Sequence, residues 1–136
     1  MGDRGNIAIV QDSEKTLTAG GAVWLYGHWS GSDLPAILQK SLAKKWRWID
    51  AQYLARIIFD DLTAGHHGEE TSFGIGTGPG DNEYPYLVVD GAAQIVKVMD
   101  YNRQNRNPTT ELARYTFKEF LALEVADKSP RDLAKT

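Results

Sequence analysis

Tyr84-Pro85-Tyr86-Leu87-Val88-Val89-Asp90, then Gly91-Ala92-Ala93, then Gln94-Ile95-Val96-Lys97-Val98-Met99-Asp100 read as a strand, a turn and a returning strand. β-Branched and aromatic residues fill both arms, and small residues make the bend. Two strands this close leave no room for a crossover helix, so they pair antiparallel. Upstream, Ser72-Phe73-Gly74-Ile75-Gly76 is a third strand of this half, weakened by its glycines or opened by them to close backbone approach. At the other end of the chain, Asn6–Gln11 and Ala22–Trp29 read as a first hairpin, separated by the polar cluster Asp12-Ser13-Glu14-Lys15 and the Gly20-Gly21 break. Period-2 alternation puts Val23 and Leu25 on one face of the second segment, and Trp24, Tyr26 and His28 on the other.

Helical spacing fills the middle. Ser32 or Asp33 caps a helix whose apolar positions Leu34, Ile37, Leu38, Leu42 and Trp46 form a stripe, with Pro35 in the first turn and Lys40, Lys44 and Lys45 toward water. Asp50 caps a second helix that buries Tyr53, Leu54, Ile57, Ile58 and Leu62 and stops at Gly65. Asn102 to Asn107 is wholly polar and reads as an exposed loop closed by Pro108, and Thr116-x-x-Glu119 is a capping box that starts a short helix near Phe117. The expected architecture is a single α+β domain over residues 1–126. It has a mostly antiparallel sheet, the order β-β-α-α-β-β-β-α and helices packed on one face; a polar tail, 127–136, frays. The expected core is Ile7, Ile9, Val23, Leu25, Leu38, Leu42, Leu54, Ile57, Ile58, Phe73, Ile75, Val88, Val96, Val98, Phe120 and Leu121.

The 136 residues are 42% hydrophobic and 24% charged, enough for one domain with its own core and too few for two. Fifteen Lys+Arg against eighteen Asp+Glu leave a net charge of −3, which offers no field for non-specific duplex binding. The absence of cysteine excludes disulfides, thiolate zinc sites and a Cys nucleophile, and agrees with a reducing cytosol. No apolar run approaches the roughly 18 residues of a spanning helix, and the start carries no long apolar leader, so the expectation is a cytoplasmic protein free of the membrane.

Several strings carry candidate chemistry. Gly74-Ile75-Gly76-Thr77-Gly78-Pro79-Gly80 could cradle an anion on bare amides, but it lacks the Lys and the following helix of a phosphate loop and reads as a hairpin connection. His66-His67-Gly68-Glu69-Glu70 offers metal-ligating side chains, yet adjacent loop histidines converge on one ion only with help from elsewhere, and the third histidine, His28, lies on a distant strand. Asp60, Asp61, Asp81, Glu83 and Asp90 supply carboxylates with no spacing that singles out an acid–base pair. There is no GxSxG elbow. The most informative set is aromatic and polar: Tyr26, His28, Trp29, Tyr84, Arg103 and Arg106 are the candidate ligand-binding residues. Flat rings edged by arginine suit a nucleobase and its phosphate, or a protein interface.

GDRGNIAIVQ (2–11), LYGHWSGSDLP (25–35), QYLARIIFDDL (52–62) and FGIGTGPGDNEYPYLVVD (73–90) resemble, in this order, strings of a family of small uncharacterised proteins common in phage and actinobacterial genomes. The resemblance spans roughly residues 2–101. It implies a cytosolic bacterial or phage-infected setting and carries no activity, fold or ligand with it. The expectation is a non-catalytic binding protein that counters a defence by engaging a host protein or sequestering a nucleotide-like small molecule. It needs no cofactor and no metal, and the same surface is compatible with a homo-oligomer. The alternative is a small hydrolase or metal-dependent enzyme built on His28, His66, His67 and nearby carboxylates.

Overall fold

Six strands, β1 (Gly5–Val10), β2 (Val23–Gly27), β3 (Phe73–Gly76), β4 (Tyr86–Asp90), β5 (Ile95–Tyr101) and β6 (Pro108–Thr116), form one sheet in the order β3-β2-β1-β4-β5-β6. The structure, a computed structural model, describes residues 2–12, 17 and 21–134. The expected turn residues Ser13, Glu14, Lys15 and Gly20 lie outside them. Four of the five pairings are antiparallel, and β1 runs parallel to β4 with Ile7 opposite Leu87 and Ile9 opposite Val89. Both of these central strands are buried along their whole length, as their near-continuous apolar sequences require.

The helices are α1 (Leu34–Ala43), entered through a 3-10 turn at Gly31–Asp33, α2 (Ala51–Leu62), α3 (Phe117–Leu121) and α4 (Pro130–Leu133). Leu34, Leu38 and Leu42 of α1 and Leu54, Ile58 and Leu62 of α2 bury against Ile7, Ile9, Leu25, Leu87, Val89, Val96 and Val98, all on one face of the sheet; Phe117 and Phe120 complete this core. The alternate residues Ala8, Val10, Trp24, Tyr86 and Val88 form a second cluster on the opposite face with Leu17 and Ala22, and no described helical residue enters it. The α+β class with helices on one face is therefore what the chain adopts. Among the described residues no helix is long and apolar enough to cross a membrane.

Four details differ from the sequence reading. A fourth strand follows the helices: Pro108–Thr116 pairs with β5 at the sheet edge, and its mostly exposed residues show little of the apolar alternation that marks a half-buried strand. Pro108 fits there because the first residue of an edge strand needs no ladder donor. Ile75 is 60% exposed, since β3 is the other edge. Trp46 and Tyr53, assigned to buried helical stripes, are exposed, because α1 ends at Ala43 and the left-handed Lys45 breaks the spacing that would carry Trp46 inward. Finally, Pro130–Leu133, expected to fray, is helical and tied down: Leu133 is buried and its carbonyl accepts the Tyr115 hydroxyl at 2.7 Å. The capping box is present, with Glu119 N–H donating to Thr116 Oγ1 at 3.0 Å and Thr116 N–H to Glu119 Oε1 at 2.8 Å.

Candidate binding surface

Of the six candidate ligand residues, Tyr26, His28, Tyr84 and Arg106 lie where the N-terminus, the end of β2 and the 77–83 loop meet, Arg103 and Trp29 stand apart from them, and most of their polar groups are already engaged. Tyr84 Oη donates to Asp3 Oδ1 at 2.5 Å, while the Arg131 guanidinium lies 4.7 Å above the Tyr84 ring. Tyr26 Oη and His28 Nδ1 share a hydrogen bond of 2.7 Å, and the Tyr26 ring lies so close to Gly80 that a side-chain carbon there would stand 2.7 Å from Cδ1. Arg106 pairs with Asp81 at 3.2 Å; Arg103 pairs with Asp100 at 3.1 Å and covers the Tyr101 ring at 4.0 Å. Trp29 faces elsewhere, 59% exposed, its ring edge-on to His28. The glycine-rich loop is likewise committed: Gly80 N–H donates to Asn6 Oδ1 at 2.9 Å, and Asn6 Nδ2 donates to the Asp81 carbonyl at 3.1 Å and to Asn82 Oδ1 at 3.2 Å.

Asp3 is the hub of this clasp. Its backbone N–H donates to the His28 carbonyl at 2.8 Å, its carbonyl accepts from Gly31 N–H at 2.7 Å, and its carboxylate also takes the Ser32 hydroxyl and, at 3.0 Å, the Ser32 amide. Burial raises the Asp3 carboxyl, but the hydrogen bonds from Ser32 and Tyr84 outweigh it and hold the group below the ordinary carboxylate value. The same bond to Asp3, helped by burial, pushes Tyr84 up to about 12. A depressed carboxyl stabilises the fold above its unfolded value and loses that contribution as pH falls through the folded one. A raised phenol stabilises below its unfolded value, near 10, and loses the contribution as pH rises toward 12. Tyr84→Phe is therefore expected to cost about 1.5 kcal/mol at neutral pH and to flatten the alkaline limb of stability against pH. Asp3→Asn should flatten the acid limb. Denaturant titrations across pH check both.

The histidine and carboxylate string is engaged in local contacts. His66 Nδ1 lies 2.7 Å from Glu69 Oε2 on an exposed turn, and the pair borders a cleft of about 480 Å³ that also takes in Trp29, Asp33, Asp61 and Phe73. Asp61 is spent on Ser41 Oγ and Lys44 Nζ, each at 2.7 Å, and these bonds hold its carboxyl low although burial works to raise it. Neither serine that lines the cleft, Ser30 or Ser72, is hydrogen-bonded to His66, so a nucleophile–base pair is not assembled. Among the described residues no group of three or more His, Cys, Asp or Glu side chains is placed to hold a metal ion.

A second surface gathers exposed rings. Between α1 and α2 the chain turns through Lys44-Lys45-Trp46-Arg47-Trp48-Ile49, and Lys45 and Arg47 have φ of 59° and 56°, left-handed for residues with a Cβ. The turn is fixed from inside: Trp48 Nε1 donates to the Leu42 carbonyl at 3.0 Å and the Trp48 ring packs edge-on against Phe117 at 5.1 Å. Outside, Trp46, Ile49 and Tyr53 are 59%, 68% and 48% exposed. Lys44 lies over the Trp46 ring at 5.3 Å and Arg47 over Tyr53 at 4.6 Å. Clefts flank the turn on both sides. One, of about 480 Å³, is lined by Trp46, Arg47, Tyr53, Arg56 and Ile57, and the other, of about 440 Å³, by Lys45, Trp48, Lys118, Leu121 and Ala122. The signal in the sequence is the interleaving of cations and tryptophans at 44–48, which helical spacing disguises as the end of a buried stripe.

Comparison with protein-family models, with curated proteins and with solved structures finds no match to this chain.

Proposed function

We propose that this chain is a non-catalytic binding protein that docks a protein partner through the turn between α1 and α2. The observation that carries this reading is the run of exposed Trp46, Ile49 and Tyr53 on a rigidly held backbone. Contiguous apolar surface rimmed by charge is what protein interfaces use, with Trp, Tyr and Arg as their energetic anchors. A cytoplasmic, bacterial or phage-infected setting, and a role in countering a host defence, belong to the same proposal and rest on the family resemblance. Sequestration of a nucleotide-like signal by Tyr26, His28, Trp29, Tyr84, Arg103 and Arg106 has less support, because both arginines are already paired with carboxylates.

The test is site-specific photo-crosslinking in bacterial lysate with benzoylphenylalanine replacing Trp46, Tyr53 or, as an exposed control on β6, Thr110. A discrete protein adduct from positions 46 and 53 and none from 110 is expected. No adduct from either, together with calorimetric heat from cyclic dinucleotides or ADP-ribose derivatives that Arg106→Ala abolishes, would transfer the function to the other surface.

A further inference from the structure

The charge around the α1–α2 turn says what kind of partner it meets. Residues 34–49 contain Lys40, Lys44, Lys45 and Arg47 and no acidic residue, a local charge of +4 in a protein of net −3, so the remaining 120 residues carry −7. Lys44 is neutralised by Asp61 at 2.7 Å and Arg56 by Asp60 at 2.6 Å. Lys45, Arg47 and Lys118 make no ion pair among the described residues, and they stand at the clefts on either side of one ridge. Two left-handed residues flank Trp46 directly, a backbone cost that glycine would avoid and that persists only where the surroundings impose it. The ridge is thereby rigid before any partner arrives, which reduces the ordering penalty of binding.

The geometry points to an acidic segment of a partner protein as the occupant: two apolar side chains enter the clefts, and carboxylates between and beside them meet Lys45, Arg47 and Lys118. This rests on the docking reading above. A second copy of the chain is disfavoured, because a two-fold contact on this face would bring two copies of its unpaired positive charges together. A bilayer is disfavoured too, since the exposed Trp46 and Tyr53 rings lie beneath Lys44 and Arg47 and wall a cleft that suits an inserted side chain better than a headgroup layer.

A random peptide library displayed on phage and panned on the 136-residue chain tests the assignment, with phosphatidylserine vesicles as a parallel arm. Enrichment of acidic peptides with two large apolar residues is expected. Their affinity should fall about tenfold or more in the Lys45→Glu/Arg47→Glu variant and should weaken with salt. Lys118→Glu, on α3, provides a second reversal should the double variant unfold in a melting control. Enriched peptides that are not acidic, or that ignore charge reversal and salt, would overturn the acidic assignment while leaving the docking reading to its crosslink. Binding to the vesicles alone would replace it with a membrane surface, and no enrichment at all would overturn it outright.

Discussion

Replacing Ile58 with alanine is expected to destabilise the protein by about 2–5 kcal/mol. Ile58 has no exposed surface and sits in the helix-side core with Ile9, Leu25 and Val89. Truncation removes three carbons of buried aliphatic surface and leaves a cavity that a sheet fixed by six paired strands cannot easily close. The contrast that isolates burial is Ile75→Ala. The same chemistry at a 60% exposed position on β3 should move stability by no more than about 0.5 kcal/mol. Urea titration of both variants reads the difference, and an unchanged midpoint for Ile58→Ala would contradict the placement of α2.

Asn6→Ala is the polar counterpart. The Asn6 side chain is buried on the helix-free face of β1 and is the one link that satisfies, at once, the Gly80 amide, the Asp81 carbonyl and the Asn82 side chain. Alanine removes three part-buried hydrogen bonds, each worth about 0.5–1.5 kcal/mol, so a loss of about 3 kcal/mol is expected. The defect should also be local. The 77–83 loop, which lies over Tyr26 at Gly80, should lose hydrogen-exchange protection at the Gly80 amide before the sheet does. Slow exchange at Gly80 in the variant would mean that the loop is held by other contacts.

What the sequence disclosed follows from where periodicity is strong. The hairpin of β4 and β5, the stripe Leu34, Leu38, Leu42 and the cap at Thr116 are local patterns, and each folds as its spacing requires. The parallel pairing of β1 with β4 is not a local pattern, and nothing in either strand names its partner. β6 is hidden because an edge strand turned toward solvent tolerates Thr, Glu and Arg, which read as loop. At the candidate surface, composition found rings and arginines but not their obligations. Arg106 answers to Asp81 and Tyr84 to Asp3 across separations that only the fold sets, while Arg103 pairs with Asp100 only three residues away. Trp46 was assigned to the interior because a helical wheel assumes that the helix continues. One left-handed lysine ends it.

The position of β1 between β2 and β4 has a consequence for synthesis. β2 is made soon after β1, but β4 ends 80 residues beyond Val10, at Asp90, so at about 5–20 residues per second one long edge of β1 waits about 4–16 s for its neighbour. That edge belongs to a strand buried throughout in the finished molecule, and in the nascent chain it is a template open to any passing strand. A ribosome that stalls after α2 therefore releases a product with two helices, one hairpin and an uncapped apolar strand. Such a fragment should be retained by chaperones or aggregate, whereas the chain that reaches Asp90 covers that edge with its own strand.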